Sequence, residues 1–500
     1  MEKKLEELKT RLAEIADLNA TSALLGWDQQ TYMPPGGAEG RGDQLATISS
    51  LSHTKFTSPE IGQLLEDLQP FAEQLDPDSN DARLIKVTKR DFAKLTKVPT
   101  SYVAELAKLT TAAHPAWEAA REENDYGKFQ PYLEQIIAMR QRYAEFFAPY
   151  DHIYDPLLDD FEPGMKTTDV KEIFDTLRPQ QVALVQGIAE SEQVDDSFLH
   201  LHYDEDKQWA FGEEVITKYG FDWKRGRQDK SVHPFTTSFG IDDVRITTRI
   251  DPNFYNTALF GTLHEAGHGL YELGCDHALA RSPLAGGSSL AVHESQSRMW
   301  ENMVGRSLPF WEHFYPRLQG YFPRQLQDID VMTFYKGINK VEPSLIRVEA
   351  DEATYNLHIM LRLELEIGMM EGSLQAKDMP DAWNSRFQEY LGITPPNDKE
   401  GVLQDIHWSF GGIGYFSTYA LGNLVSAQLW DVINQDIPNL DDQIRNGEFA
   451  DLLAWLVDKI HRHGSKYEPQ ELVQRVTGSK IDPAPYVRYL TDKFSAIYDL

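Results

Sequence analysis

Thr262-Leu263-His264-Glu265-Ala266-Gly267-His268 reads H-E-x-x-H, and the rest of the chain is most economically explained as built around it. On an α-helix the i, i+4 spacing stacks His264 and His268 on one face, so both imidazoles reach one divalent cation with Glu265 beside them as its general base. The competing reading is two core histidines on an apolar helix. Asn256 is positioned to cap a run Thr257-Ala258-Leu259-Phe260 leading into the motif, and Gly274 to end it after Leu270-Tyr271-Glu272-Leu273. Gly261, Gly267 and Gly269 inside that helix each cost about 1 kcal/mol relative to alanine. Such a cost implies close approach of a neighbouring helix or a substrate.

A zinc site needs a third protein ligand and an open position for water. Glu272 follows His268 by four residues, but it lies about 12 Å along the axis from His264, too far for both to share one ion. The third ligand therefore comes from another element. In Ser289-Leu290-Ala291-Val292-His293-Glu294-Ser295-Gln296, Ser289 can cap a helix running to Val304 and ended by Gly305. The loop with Ser282-Pro283-Leu284-Ala285-Gly286-Gly287 lets the two helices pack antiparallel. Glu294 is the candidate ligand, because two histidines with one carboxylate is a usual hydrolytic set, and His293 is its rival.

Outward from the motif the chain reads as helix nearly throughout. Leu5, Leu8, Leu12, Ile15 and Leu18 recur at the helical period, and that first helix stops at Met33-Pro34-Pro35-Gly36-Gly37. Further helical patterns follow at about 40–68, 79–95, 99–122, 128–148, 168–190 and 204–219. Beyond the motif they continue at about 289–304, 308–318, 329–341, 345–373, 379–392, 400–407, 413–434, 440–462, 468–476 and 484–497. The exceptions are Ser231–Gly240 and Asp243–Ile250. In the latter Val244, Ile246, Thr248 and Ile250 alternate with Arg245, Thr247 and Arg249, the period of a strand with one wet face. A small sheet thus precedes the motif helix, either as a structural hairpin or as an edge on which an extended peptide can lie. No internal repeat or long linker divides the chain, so residues 1–500 read as one large, mainly α catalytic domain with a small sheet beside the site.

The formal net charge of −30 argues against nucleic acid and anionic membrane surfaces as partners. The single cysteine, Cys275, allows no internal disulfide, which fits a reducing compartment, and it reads as packed rather than catalytic. With neither a signal core nor a transmembrane run, a cytoplasmic location is expected.

The chain resembles the carboxypeptidase Taq family of metallocarboxypeptidases, within the gluzincins. The resemblance rests on His264-Glu265-Ala266-Gly267-His268 with His293-Glu294-Ser295-Gln296, on His233-Pro234-Phe235 and on Asp243-Val244-Arg245-Ile246-Thr247. It rests also on Ile346-Arg347-Val348-Glu349-Ala350-Asp351 and Gly401-Val402-Leu403-Gln404-Asp405-Ile406-His407-Trp408. It implies a helical, saddle-like fold with a deep groove, a homodimer, zinc with cobalt as a possible substitute, and removal of single C-terminal residues from peptide substrates. It also implies broad specificity that disfavours a C-terminal proline. One position departs from the wider group: thermolysin-like relatives place an aspartate four residues after the ligand glutamate, where Arg298 stands here. The partners that orient His264 and His268 are therefore left open.

With zinc on His264, His268 and Glu294 acidifying a water, Glu265 is expected to take its proton and hand it to the leaving amine. Tyr415, Tyr419 and His407 are candidate donors to the oxyanion, Tyr419 narrowly ahead of Tyr415, worth on the order of 3 kcal/mol. Arg347 is expected to capture the substrate's terminal carboxylate by motif match, against an ion pair with Asp351. Arg245 and Thr247, on the polar strand face, are expected to meet the substrate farther from the scissile bond, with His233 near them. Two other functions compete. One is an oligopeptidase or dipeptidyl carboxypeptidase with the same zinc chemistry, and the other is a non-catalytic peptide binder on an inherited scaffold.

Overall fold

The computed structural model describes residues 1–500 and is mainly helical with one three-stranded sheet, the expected fold class. The first helix, Glu2–Thr31, buries Leu5, Leu8, Leu12 and Ile15, the stripe its period defines. Together with helices Pro59–Ala72 and Asn80–Lys97 it builds a separate core of 13 buried residues that reaches Leu279 and Leu284. A second core of 99 buried residues runs from Tyr102 to Tyr498 and forms the main interior beyond the first hundred residues. No helix is long and apolar enough to cross a membrane.

Several boundaries differ from the periodic reading, each for a local reason. The expected helix 40–68 is two, Ala38–Phe56 and Pro59–Ala72, because Ser58 precedes a proline and takes extended backbone. Residues 339–354 are not α-helical; Asp351 accepts from the amides of Glu342, Ala353 and Thr354 and so ties a loop ahead of helix Tyr355–Glu371. The expected helix 400–407 is turn and bend over 400–406, followed by a short 3₁₀ segment His407–Phe410. The expected helix 440–462 breaks at Gly447, whose φ of +71° suits no other residue well, into Leu440–Arg445 and Ala450–Lys459.

The sheet has the order β1-β3-β2, with β1 Gly226–Lys230 parallel to β3 Asp243–Thr248 and β2 Thr236–Gly240 antiparallel to it. Val244 and Ile246 pack toward the motif helix, as alternation requires. The opposite face is not wet: the first helix lies across it, with Arg245 stacked 4.4 Å from the Trp27 ring. Thr247 is fully buried, its hydroxyl taken up by Ser231 and Phe235.

Candidate metal centre

The motif helix is Tyr255–Leu273, preceded by Phe254, so Asn256 lies inside the first turn and caps nothing. The Glu294 helix, Leu290–Arg298, starts as expected at Ser289, whose hydroxyl accepts from the Val292 amide, and continues as a π-helical turn Met299–Val304. The two helices pack together with almost no gap. A Cβ on Gly267 would stand 2.6 Å from the Ser297 Cα, and one on Gly422 would stand 2.6 Å from the Glu294 Cβ. The first glycine lets the motif helix close on the Glu294 helix; the second lets helix Ser417–Asp436 close on it from the other side.

That packing brings His264, His268 and Glu294 together as the one His/Cys/Asp/Glu group whose donor atoms lie mutually within 4.8 Å. Glu294 Oε2 stands 3.6 Å from His264 Nε2 and 3.5 Å from His268 Nε2. Two donors on one tetrahedral zinc at bond lengths near 2.0–2.1 Å lie about 3.4 Å apart, so the set fits such an ion. The other Glu294 oxygen accepts from Arg298 Nε at 2.7 Å, while Oε2 faces the two histidines.

The hydrogen bonds behind the imidazoles fix which nitrogen is free. His264 Nδ1 lies 2.9 Å from Glu301 Oε2, a pure acceptor, so Nδ1 carries the proton and Nε2 presents its lone pair to the site. His268 Nδ1 lies 2.6 Å from His293 Nδ1, and His293 Nε2 lies 2.7 Å from Glu272 Oε1. Glu272 therefore takes the His293 Nε2 proton, His293 Nδ1 accepts from His268, and His268 Nε2 is free as well. His293 thus lies behind His268 rather than within the donor triad, and Glu272 lies one step behind His293.

Glu301, His293 and Glu272 answer the question the sequence left open. Arg298 stands where an orienting acid was missing, and the acid comes three residues later; its guanidinium reaches both Glu294 and Glu301, at 2.7 and 3.3 Å. Glu294, Arg298 and Glu301 fall at i, i+4 and i+7, a single helical face that could have been read from the sequence. Burial alone would lift the carboxyls of Glu294 and Glu301, but Arg298 and the histidines more than offset it; Glu294 is held well below its usual range and Glu301 falls to about 2.

Glu265 is buried beside the histidines and its carboxyl is raised by that burial, against the opposing effects of His264 and Thr236. Thr236, on β2, was not foreseen: its hydroxyl lies 2.6 Å from Glu265 Oε2 and 3.0 Å from the Glu265 carbonyl. Cys275 is packed, its thiol pushed up to about 12 by burial.

Tyr415 and Tyr419 meet hydroxyl to hydroxyl at 3.5 Å, and His407 packs 5.2 Å from the Tyr415 ring. Burial raises the Tyr415 phenol, the Tyr419 hydroxyl lowers it, and the Glu294 charge raises it again. Tyr419 instead faces Tyr355 and Arg347. Burial lowers His407 to about 4, so it is neutral at neutral pH.

Arg347 is 6% exposed and lies in a short 3₁₀ turn, with no ion pair to Asp351. Its Nε and one terminal nitrogen contact Asp405 Oδ1 at 3.1 and 2.9 Å, and the other donates to the Tyr355 hydroxyl at 3.2 Å. Arg362 holds the second Asp405 oxygen at 2.5 Å. Two guanidiniums thus share one carboxylate, which leaves one positive charge in excess.

Three expected substrate contacts fare differently. Thr247 points no polar atom at a substrate; its hydroxyl binds Ser231 Oγ and the Phe235 amide at 2.7 and 2.9 Å, shaping the loop that carries His233. Arg245 is held by Asp243 and lies between Trp27 and Phe239. His233 is exposed.

With this geometry in place, comparison with known proteins gives consistent matches over nearly the whole length. The sequence model of the carboxypeptidase Taq (M32) metallopeptidases matches residues 7–494. Thermostable carboxypeptidase 1 of Thermus thermophilus is 41% identical over 495 residues, covering 97% of each chain. Carboxypeptidase 1 of Bacillus subtilis is 37% identical over 488 residues, again with 97% of both covered. The crystal structure of the M32 carboxypeptidase from Deinococcus radiodurans R1 superposes with a TM-score of 0.97 at 39% identity, over 100% of both chains.

Proposed function

The chain belongs to the carboxypeptidase Taq (M32) metallopeptidase family and is a metallocarboxypeptidase; on that premise we propose that it uses zinc, with cobalt able to replace it, to release single C-terminal residues from peptides with broad specificity, proline excepted. The observation that carries this reading is the convergence of His264 Nε2, His268 Nε2 and Glu294 Oε2 with both histidine Nδ1 protons already engaged. Such a donor set puts one negative charge against a divalent cation's two, which leaves the positive charge that acidifies a bound water, and it is pre-oriented for the ion.

Zinc held there would polarise the scissile carbonyl and acidify a water. Glu265, with one carboxylate oxygen held by Thr236, keeps the other to take a proton from that water and return it to the leaving amine. Its raised carboxyl brings it nearer the neutral range in which a base works best. Tyr415 replaces Tyr419, which the sequence put narrowly ahead, as the favoured donor to the oxyanion, because Tyr415 lies within the influence of Glu294 whereas Tyr419 faces Tyr355 and Arg347; neutral His407 packs against Tyr415. A peptide's terminal carboxylate would find the surplus charge of Arg347 and Arg362 over Asp405, and a guanidinium still has donors left for it.

Mass analysis of peptide digests tests the proposal. A ladder losing one C-terminal residue at a time is expected, together with slow or absent cleavage of the same peptide as its C-terminal amide. Internal fragments or dipeptide products would overturn it in favour of an oligopeptidase or dipeptidyl carboxypeptidase.

A further inference from the structure

β2 is an edge strand, and its register with β3 determines which of its backbone groups are paired. Thr236 lies opposite Ile246 and Ser238 opposite Val244, while the Thr247 amide donates to the Phe235 carbonyl at 3.0 Å. In an antiparallel pair this makes Thr236–Ile246 and Ser238–Val244 the non-hydrogen-bonded positions, so the N–H and C=O of Thr236 and Ser238 turn outward from the sheet. They find no backbone partner elsewhere in the chain. The same two residues project their side chains to the face packed on the motif helix. The Thr236 hydroxyl contacts Glu265 Oε2 at 2.6 Å.

The edge that an extended peptide would pair with and the hydroxyl that holds the general base therefore meet at Thr236. We propose that Thr236 is a positioning residue that couples substrate pairing along β2 to the placement of the Glu265 carboxylate. Peptide residues upstream of the scissile bond then raise kcat rather than merely tightening binding. This inference rests on the carboxypeptidase reading above. A backbone hydrogen bond to the Thr236 and Ser238 edge restrains the strand, the strand restrains the Thr236 hydroxyl, and the hydroxyl fixes one Glu265 oxygen while leaving the other directed to the reacting water. Binding energy from remote substrate groups is used in this way when it is realised as orientation at the reacting centre. A short substrate that cannot reach β2 leaves the carboxylate freer to rotate about its last torsion, which is a broad, shallow one.

The test is a steady-state series of N-acetylated di-, tri-, tetra- and pentapeptides with a common C-terminal pair, run on the metal-loaded protein and on Thr236→Val and Thr236→Ser. In the wild type kcat should rise with length by about tenfold across the series. Thr236→Val should lower kcat for the pentapeptide by about 10- to 100-fold, to near the dipeptide value, with KM changing less than about threefold and metal content unchanged. Thr236→Ser, which keeps the hydroxyl, should restore both rate and length dependence. A wild-type kcat that is flat with length overturns the proposal without any variant. So does a Thr236→Val enzyme that keeps the length dependence, or a Thr236→Ser enzyme as slow as the valine variant. Mass analysis of the same digests keeps the two readings apart: products other than single C-terminal residues would defeat the carboxypeptidase assignment whatever kcat does.

Discussion

Removing the Glu301 carboxylate should weaken metal binding although it alters none of the three donor atoms. Glu301 accepts the His264 Nδ1 proton at 2.9 Å and lies 3.3 Å from Arg298 and 3.6 Å from Arg306. Across the imidazole its charge is about 7 Å from an ion bound at Nε2, worth roughly 5 kcal/mol with a divalent cation at an effective dielectric near 20. The two arginines offset most of that. What remains is the expected loss for a partner behind a ligand, about 10- to 100-fold in affinity or roughly 1.4 to 2.7 kcal/mol. Glu301→Gln keeps an acceptor for Nδ1 and should sit near the tenfold end, whereas Glu301→Ala also frees the ring to turn and should approach a hundredfold. Zinc titration of the apoprotein against a competing chromogenic chelator measures both. At saturating zinc kcat should stay within about threefold, because Glu265 and the donor atoms are intact. A Glu301→Ala protein binding zinc within twofold of wild type would refute the assigned orientation of His264.

Glu265→Gln should retain one zinc per chain and lose about 10²- to 10⁴-fold in kcat, as measured by metal analysis and a peptide assay on the same sample. Tyr415→Phe should cost about 10²- to 10³-fold in kcat with little change in KM, and Tyr419→Phe less; the reverse order would move the oxyanion donor to Tyr419. Acid stability should also show two buried histidines that fold uncharged, His407 lowered to about 4 and His461 to about 3 by burial. Because their folded values lie below the unfolded value near 6.5, the unfolded chain binds more protons, and stability falls as pH drops below 6.5. At pH 5 each should cost about 2 kcal/mol relative to pH 8, and Gln variants should flatten the pH profile seen by denaturant titration.

What could be read from the sequence follows from what is local. His264, Glu265 and His268 are spaced by one helix turn, and Glu294 follows a capping serine on the next helix, so periodicity and caps suffice to place them. Glu301 shares the Glu294 face by its i+7 spacing, a signal present in the sequence, but its contact with His264 forms only when the two helices close over Gly267. Thr236 and His293 matter through contacts across 29 and 25 residues of chain, which no periodic signal encodes. β1, Gly226-Arg227-Gln228-Asp229-Lys230, carries no apolar alternation because polar partners satisfy it: Asp229 takes Arg227 and the Tyr32 hydroxyl. Alternation likewise identifies the two faces of a strand but cannot show that the first helix covers Arg245 or that the 231–235 loop takes up the Thr247 hydroxyl.

The central claim is the ligand set, and an anomalous difference map at the zinc edge from a crystal of the zinc-loaded protein tests it most directly. A single dominant peak is expected at about 2.0–2.2 Å from His264 Nε2, His268 Nε2 and a Glu294 carboxylate oxygen. A peak elsewhere, or none at those three side chains under saturating zinc, would contradict the account.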